Sequence, residues 1–358
     1  MISTRPLWVR MTPRTAVALF VLLVGAGLFY VKWLPYYNRS FVAYASHSIG
    51  HSILMGDASQ APPASLDAAL SYAKAYGKAI WQAMVLGLLL GSAVEELLPR
   101  AWIRALLGRP GFPAVLAGGL LALPGMMCTC CAAPVVIGMR RAEAQPGAAV
   151  AFWLGNTVLN PATLIFMGFV LGWNWTGLRL VLGIPLVFGT GYLVSRFARP
   201  DEVAPLHGAS ATGSLVGVAT QGNGPSLGGW LSRLWDLALR LIPEYLVLVL
   251  LLGAARAWLF PQIGPALNND VLWIILMAGA GLLFVIPTAG EVPIVQAMLA
   301  LGVGSGPAGA LLMTLAPISL PSLVMTQKVF SARILRVVVG AVLVAGVAGG
   351  LLAVLLSF

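Results

Sequence analysis

Apolar residues run along this chain in long blocks, and charge is confined to the gaps between them. Charge-free runs cover 148–172, 271–290, 292–327 and 337–358. Each is long enough, or nearly so, to cross about 30 Å of hydrocarbon as a helix. Another charge-free stretch, Pro110 to Met139, is interrupted by prolines and glycines, which predicts a broken hairpin over 111–145. With the basic loops taken as cytoplasmic, 15–31 crosses outward and 79–98 returns to the Arg100–Arg109 loop. The hairpin dips in and comes back to Arg140 and Arg141, 148–172 crosses outward to Trp173-Asn174-Trp175, and 177–195 returns to Arg196 and Arg199.

In the second half, 241–260 crosses outward, 271–305 is a hairpin entered from outside, 307–327 returns to Lys328, and 334–356 exits. That order places the end of the chain outside. The span at 15–31 follows Arg5, Arg10 and Arg14, and its exit at Lys32-Trp33 lacks a small-x-small cleavage site, so it reads as an uncleaved span. Between 40 and 78 the pattern breaks: Tyr44, His47, His51, Asp57, Asp67, Tyr72, Lys74 and Lys78 interrupt the apolar residues. This reads as an extracytoplasmic segment with amphipathic helices along the interface.

Composition sharpens the picture. Hydrophobic residues make up 59% of the chain and charged residues only 9%, against about 25% charge in soluble domains. Mean hydropathy is +0.92. The 41 glycines and 24 prolines suit a membrane bundle, where small residues let helices touch and breaks can line a cavity. The fold class is therefore all-α, a polytopic helical membrane protein whose first partner is the lipid bilayer. The net charge of +10 is spread over short segments between spans, as cytoplasmic loops require, so no nucleic-acid partner is expected.

Two halves share spacing. Leu88-Leu89-Leu90-Gly91 precedes Pro99 by the interval that separates Leu250-Leu251-Leu252-Gly253 from Pro261. Pro134, Gly147 and Pro161 recur as Pro293, Gly306 and Pro321, so the offset stays within 159–162 residues. Such weak symmetry is how transporter repeats show themselves, and the basic loops give the halves opposite orientations. The chain divides into 1–74, a first span and extracytoplasmic segment; 75–196, a first repeat; 197–232, a flexible cytoplasmic linker; and 233–358, a second repeat. The re-entrant hairpins then dip from opposite faces, with Cys128–Cys131 and Pro287–Pro293 at their tips.

Candidate chemistry sits at those tips. All three cysteines, Cys128, Cys130 and Cys131, fall within four residues. Clustered thiolates bind soft metals and trivalent metalloids, and no distant second pair completes a structural zinc site. The plainer alternative is three small residues in a packed core. Glu291, at the other tip, is costly if charged and unpaired; it is a proton-coupling candidate or an acid at a helix N-terminus. Asn156 and Asn160, one turn apart, and Ser319 beside Pro321 can bind substrate or join helices. Glu95 and Glu96 are read as salt-bridge partners of Arg100 and Arg104, and Glu244 of Arg240. His47 and His51 share i,i+4 spacing without a third ligand.

No His-Glu-x-x-His, Walker motif or phosphorylated-Asp loop is present, and 200–230 is too short for an ATPase domain. An enzyme is not expected, nor a cofactor. The segment from Pro124 through Cys128, Pro134, Gly147 and Phe152 to Asn160-Pro161, with Pro287, Gly290-Glu291-Val292-Pro293 and Pro317-Ile318-Ser319-Leu320-Pro321-Ser322, resembles a predicted-permease family that includes the ArsP organoarsenical efflux permeases. The resemblance covers roughly 75–340. It implies a bacterial cytoplasmic (inner) membrane permease and, for the arsenical branch, export of trivalent organoarsenicals by paired thiols, which map to Cys128 and Cys130. Thr129 and Cys131 depart from the more usual Cys-Ser-Cys followed by a small residue. The expected cargo is a small solute or soft metal or metalloid species moved by gradient-driven alternating access. The competing reading is a membrane subunit of a multi-component permease, or a channel for another small ion, with structural cysteines. A homodimer or an accessory permease subunit is the protein partner either reading leaves open.

Overall fold

The computed structural model describes residues 11–50, 65–199, 202, 225–259 and 267–356. Among these, every regular element is helical. Helix α1, Pro13–Ser46, opens on the Thr12 cap, whose Oγ1 accepts from the Thr15 amide at 3.2 Å, with proline at the first helical position. It is a single helix with a π turn at Phe29–Trp33, so the helix does not end at Lys32, the expected stop of the first span. Lys32 is instead 3% exposed in mid-helix. The interfacial segment expected from 40 onward begins as the continuation of this helix. Helix α2, Leu66–Glu96, starts at the Ser65 cap, well before the expected 79. Residues 51–64 lie outside the described set, as does most of the expected linker.

The rest of the first half is α3 (Arg100–Leu107), α4 (Phe112–Ala122), α5 (Thr129–Arg141), α6 (Pro146–Val158), α7 (Pro161–Val170) and α8 (Trp173–Phe197). The second half is α9 (Leu227–Leu259), α10 (Val271–Leu283), α11 (Glu291–Ala300), α12 (Ser305–Leu315), α13 (Leu320–Thr326) and α14 (Ala332–Leu355). The order repeats: a long helix, a helix–break–helix hairpin, a helix broken at proline, and a long helix. Among the described residues, seven helical stretches are long and apolar enough to cross a membrane, counting α6 with α7 and α12 with α13 as one each. The hairpin arms α4, α5, α10 and α11 have only 11, 13, 13 and 10 residues. At 1.5 Å per residue they reach roughly 15–20 Å, short of a bilayer's hydrocarbon core.

Packing follows the same order in the two halves. In each half the first hairpin arm lies on the broken helix (α4 on α6, α10 on α12), which lies on the terminal helix (α6 on α8, α12 on α14). Between halves, α2 packs along α9, α5 meets α13, and α11 meets α7. Each hairpin thus docks on the broken helix of the other half. The hairpin bases sit at opposite ends of α1. Gln145 bonds to Leu107 near the Arg104–Glu143 pair, at the end where Met11 bonds to Pro225. Gly304 bonds to Leu267, and Gln296 reaches His47, at the other end.

Close helix contact positions the thiols. A Cβ on Gly87 would sit 2.3 Å from the Cys131 carbonyl oxygen, and one on Gly91 2.3 Å from that of Pro134. Backbone therefore lies on backbone where α2 crosses α5.

Candidate substrate site

Both hairpin tips are built on a strained turn. Leu123-Pro124-Gly125 tightens into a 3₁₀ turn, and Met126 takes the left-handed conformation at φ 47°. Cys128 is then extended and stands at the N-cap position of α5, with no side-chain bond to the helix amides. In the second half Ala289 is left-handed at φ 65°, immediately before Gly290 and Glu291. A non-glycine residue there costs about 1–2 kcal/mol, and each strained residue stands two positions before the chemically distinctive one, Cys128 or Glu291.

Neighbouring side chains hold the tips in place. Asn156 Nδ2 donates to the Phe152 carbonyl at 3.0 Å, and its Oδ1 accepts from the Met127 amide at 3.4 Å. Asn156 therefore braces the first tip from behind. Trp33 Nε1 donates to the Pro124 carbonyl at 2.8 Å, and the Tyr72 hydroxyl donates to the Val285 carbonyl at 2.7 Å at the second break.

The three thiols form one buried cluster. Cys128 Sγ lies 3.1 Å from Cys130 Sγ and 2.8 Å from Cys131 Sγ, and the last two are 3.8 Å apart. All three are free cysteines. Metal–sulfur bonds of about 2.3 Å in tetrahedral or trigonal geometry set sulfurs about 3.8–4.0 Å apart, so ligation needs an opening of about 1 Å or less. The spacing is one from which the three sulfurs could hold a soft centre. Cys130 is held from behind by the Tyr76 hydroxyl at 3.3 Å and the Tyr245 hydroxyl at 3.6 Å, one from each long helix. Pro134 inside α5 offers no amide to the Cys130 carbonyl, which lies one turn before it.

Cys128 faces a small central cavity. Met127, Cys128 and Thr129 form one wall; Thr157, Asn160 and Thr163, at the α6–α7 break, form another; Ile286 to Ala289, Glu291 and Ala316 complete it. Its volume is about 10 Å³, the space of about one water. Asn160 caps α7, its Oδ1 accepting from the Ala162 and Thr163 amides at 3.0 and 3.3 Å. Its buried Nδ2 has no hydrogen-bond partner among the described residues. Ser319 caps α13 in a capping box with Ser322, and its hydroxyl meets Thr129 Oγ1 at 3.1 Å. Thr129 and Ser319 therefore join the first tip to the second broken helix.

Glu291 is buried and paired. Arg179 Nη2 is 3.0 Å from its Oε1. The same guanidinium donates to Val158, Thr157 and Leu312 carbonyls at 3.0, 2.8 and 3.4 Å. Two of these carbonyls end α6, where helical donors run out. Lys32, turned inward at the π turn, donates to Tyr36 Oη at 3.2 Å and to Thr288 Oγ1 at 3.3 Å. It lies within electrostatic reach of Cys128 and Cys131.

Of the sequence candidates, Cys128, Asn160 and Glu291 line the cavity. Cys130 and Cys131 stand behind Cys128, and Asn156 and Ser319 hold the scaffold. Arg179, Lys32, Tyr76 and Tyr245 escaped the sequence reading; for the first two, the available signal was a lone charge within an apolar block. Glu95 pairs with Arg141 and Arg233 at 3.1 and 3.4 Å, and Glu96 with Arg233 at 3.9 Å, whereas Arg104 pairs with Glu143 at 3.2 Å. Glu244 pairs with Lys328 at 2.8 Å, and Arg240 with Asp236 at 3.0 Å. Loop folding brings nearer partners than sequence distance suggests. His51 is outside the described residues, and His47 Nδ1 bonds to the Phe169 carbonyl at 2.8 Å.

The family whose members are described as predicted permeases (ArsP_1) matches residues 65–355. UPF0718 protein YraQ of Escherichia coli (strain K12) is 49% identical over 340 residues, covering 94% of each chain. No solved structure matches.

Proposed function

The chain belongs to the predicted-permease family and is a multi-pass permease of the bacterial inner membrane; from that premise we propose that it exports a small, thiol-reactive solute, with trivalent organoarsenicals as the model cargo. The observation that carries the proposal is the placement of Cys128 on the cavity wall with Cys130 and Cys131 within ligating reach behind it. Soft trivalent centres bind two or three sulfurs; each As–S bond that forms replaces an As–OH bond, and the hydroxide leaves as water with the thiol proton. Release would reverse the exchange, water returning a proton to each thiol and a hydroxide to the arsenic.

The reciprocal docking of each hairpin on the other half's broken helix supports an inverted repeat related by a pseudo-twofold axis in the membrane plane. Rocking of one half against the other would open the cavity alternately to each side. Glu291 would couple protons by releasing Arg179 when neutralised. Transport by everted vesicles tests this, with methylarsenite, arsenite, Cu(I), Zn²⁺ and simple anions supplied with and without a proton gradient. Methylarsenite accumulation that needs both the gradient and Cys128 is the expected result. Flux that persists without a gradient, or is unchanged in Cys128→Ser, would rule the reading out.

A further inference from the structure

We infer that the same cavity holds an oxyanion subsite, made by Asn160 Nδ2 on its wall beside the Cys128 thiol, with the Lys32 ammonium immediately behind its Thr288 wall. This rests on the thiol reading and narrows its substrate class: a small oxyanion that also carries a thiophilic atom. The first support is the unpartnered Asn160 Nδ2. Asn160 is 1% exposed and lines the cavity. With Oδ1 turned back to the α7 amides, the amide presents its donor end, and a buried donor left unpaired is costly. A ligand with acceptor oxygens is what it lacks.

The second support is charge. Lys32 is buried and has no carboxylate partner among the described residues. Its two bonds, to Tyr36 and to Thr288 on the cavity wall, leave a third N–H. Arg179 is balanced by Glu291, whereas the Lys32 ammonium meets only the Tyr36 and Thr288 hydroxyls among the described residues. An isolated charge at such depth is unfavourable, and a bound anion offsets it. The third support is dipolar. Helices α5, α7 and α11 all begin at this cavity, at Thr129, Pro161 and Glu291, so three partial positive ends converge. Broken helices aimed at an anionic substrate group are an established way for transporters to recognise one.

The test uses the full chain in lipid nanodiscs and scintillation-proximity binding of ³⁵S-labelled sulfate and thiosulfate, with phenylarsine oxide binding measured in parallel. Sulfate offers oxygens alone, and thiosulfate adds a soft sulfur. Wild-type protein should bind both, thiosulfate more tightly. Asn160→Asp keeps a side-chain oxygen to cap α7 but loses the donor, and Lys32→Met removes the charge. Each should lower the ratio of sulfate to phenylarsine oxide affinity at least tenfold. Cys128→Ser should move that ratio the other way, losing phenylarsine oxide while retaining sulfate. Failure of the wild type to bind either anion, or an unchanged ratio in both Asn160→Asp and Lys32→Met, overturns the oxyanion subsite. Unchanged phenylarsine oxide binding in Cys128→Ser instead overturns the thiol reading on its own.

Discussion

Replacing Glu291 by Gln and Arg179 by Met, singly and together, probes the ion pair that ties the second hairpin to α8. Glu291→Gln keeps the shape but leaves Arg179 buried with only the Thr157, Val158 and Leu312 carbonyls as partners. Breaking one side of a buried pair costs about 3–5 kcal/mol; the surviving carbonyl bonds place this variant near the low end. Arg179→Met strands a carboxylate and also removes the donor from those three carbonyls, each orphan costing about 1–3 kcal/mol. It should be the worse single change. In the double variant no charge is stranded, so its loss should fall short of the sum of the singles by about 2 kcal/mol or more. Reversible unfolding in mixed detergent–SDS micelles, followed by tryptophan fluorescence, gives all four corners of the cycle. Additivity to within about 0.5 kcal/mol would refute the claim that the pair is energetically joined.

Gly87→Val should separate α2 from α5, because its Cβ alone would lie 2.3 Å from a backbone carbonyl; overpacking of this kind costs about 1–3 kcal/mol, read as a lower melting temperature with weaker phenylarsine oxide binding. Ala289→Gly should stabilise the protein by about 1 kcal/mol by relieving its left-handed strain, measured by the same unfolding assay. Partial burial pushes the Glu202 carboxyl up, but donors from Ser331 and the Arg199 amide, with Arg333 and Arg199 nearby, hold it below its ordinary value. A carboxylate held low contributes stability above its unfolded value and loses it as pH falls through the folded one. The melting-temperature gap between wild type and Glu202→Gln should therefore be present at neutral pH and close in acid.

The spans were legible because hydrocarbon demands long apolar blocks, and the breaks because Pro124, Pro161, Pro287 and Pro321 cannot continue a regular ladder. The thiol cluster was legible because all three cysteines are adjacent in sequence. The continuation of α1 to Ser46 was not: Asn38 and Arg39 look interfacial in a hydropathy sum, yet the helix runs through them. Arg179 and Lys32 were missed for a related reason. Each is a lone charge within an apolar block, and its meaning comes from partners at Glu291 and Thr288, which only the tertiary packing brings near. Tyr76 and Tyr245 read as ordinary aromatic residues until the crossing of the two long helices puts both hydroxyls on Cys130.

Calorimetric titration of the reconstituted protein with phenylarsine oxide, beside a variant with Cys128, Cys130 and Cys131 all changed to Ser, tests the central claim most directly. Wild-type protein should bind one equivalent, two As–S bonds replacing the As–O bonds and the oxygen leaving as water with the two thiol protons, and the cysteine-free variant should show no binding. Equal binding by the two proteins would contradict the account and leave the three thiols as packing residues.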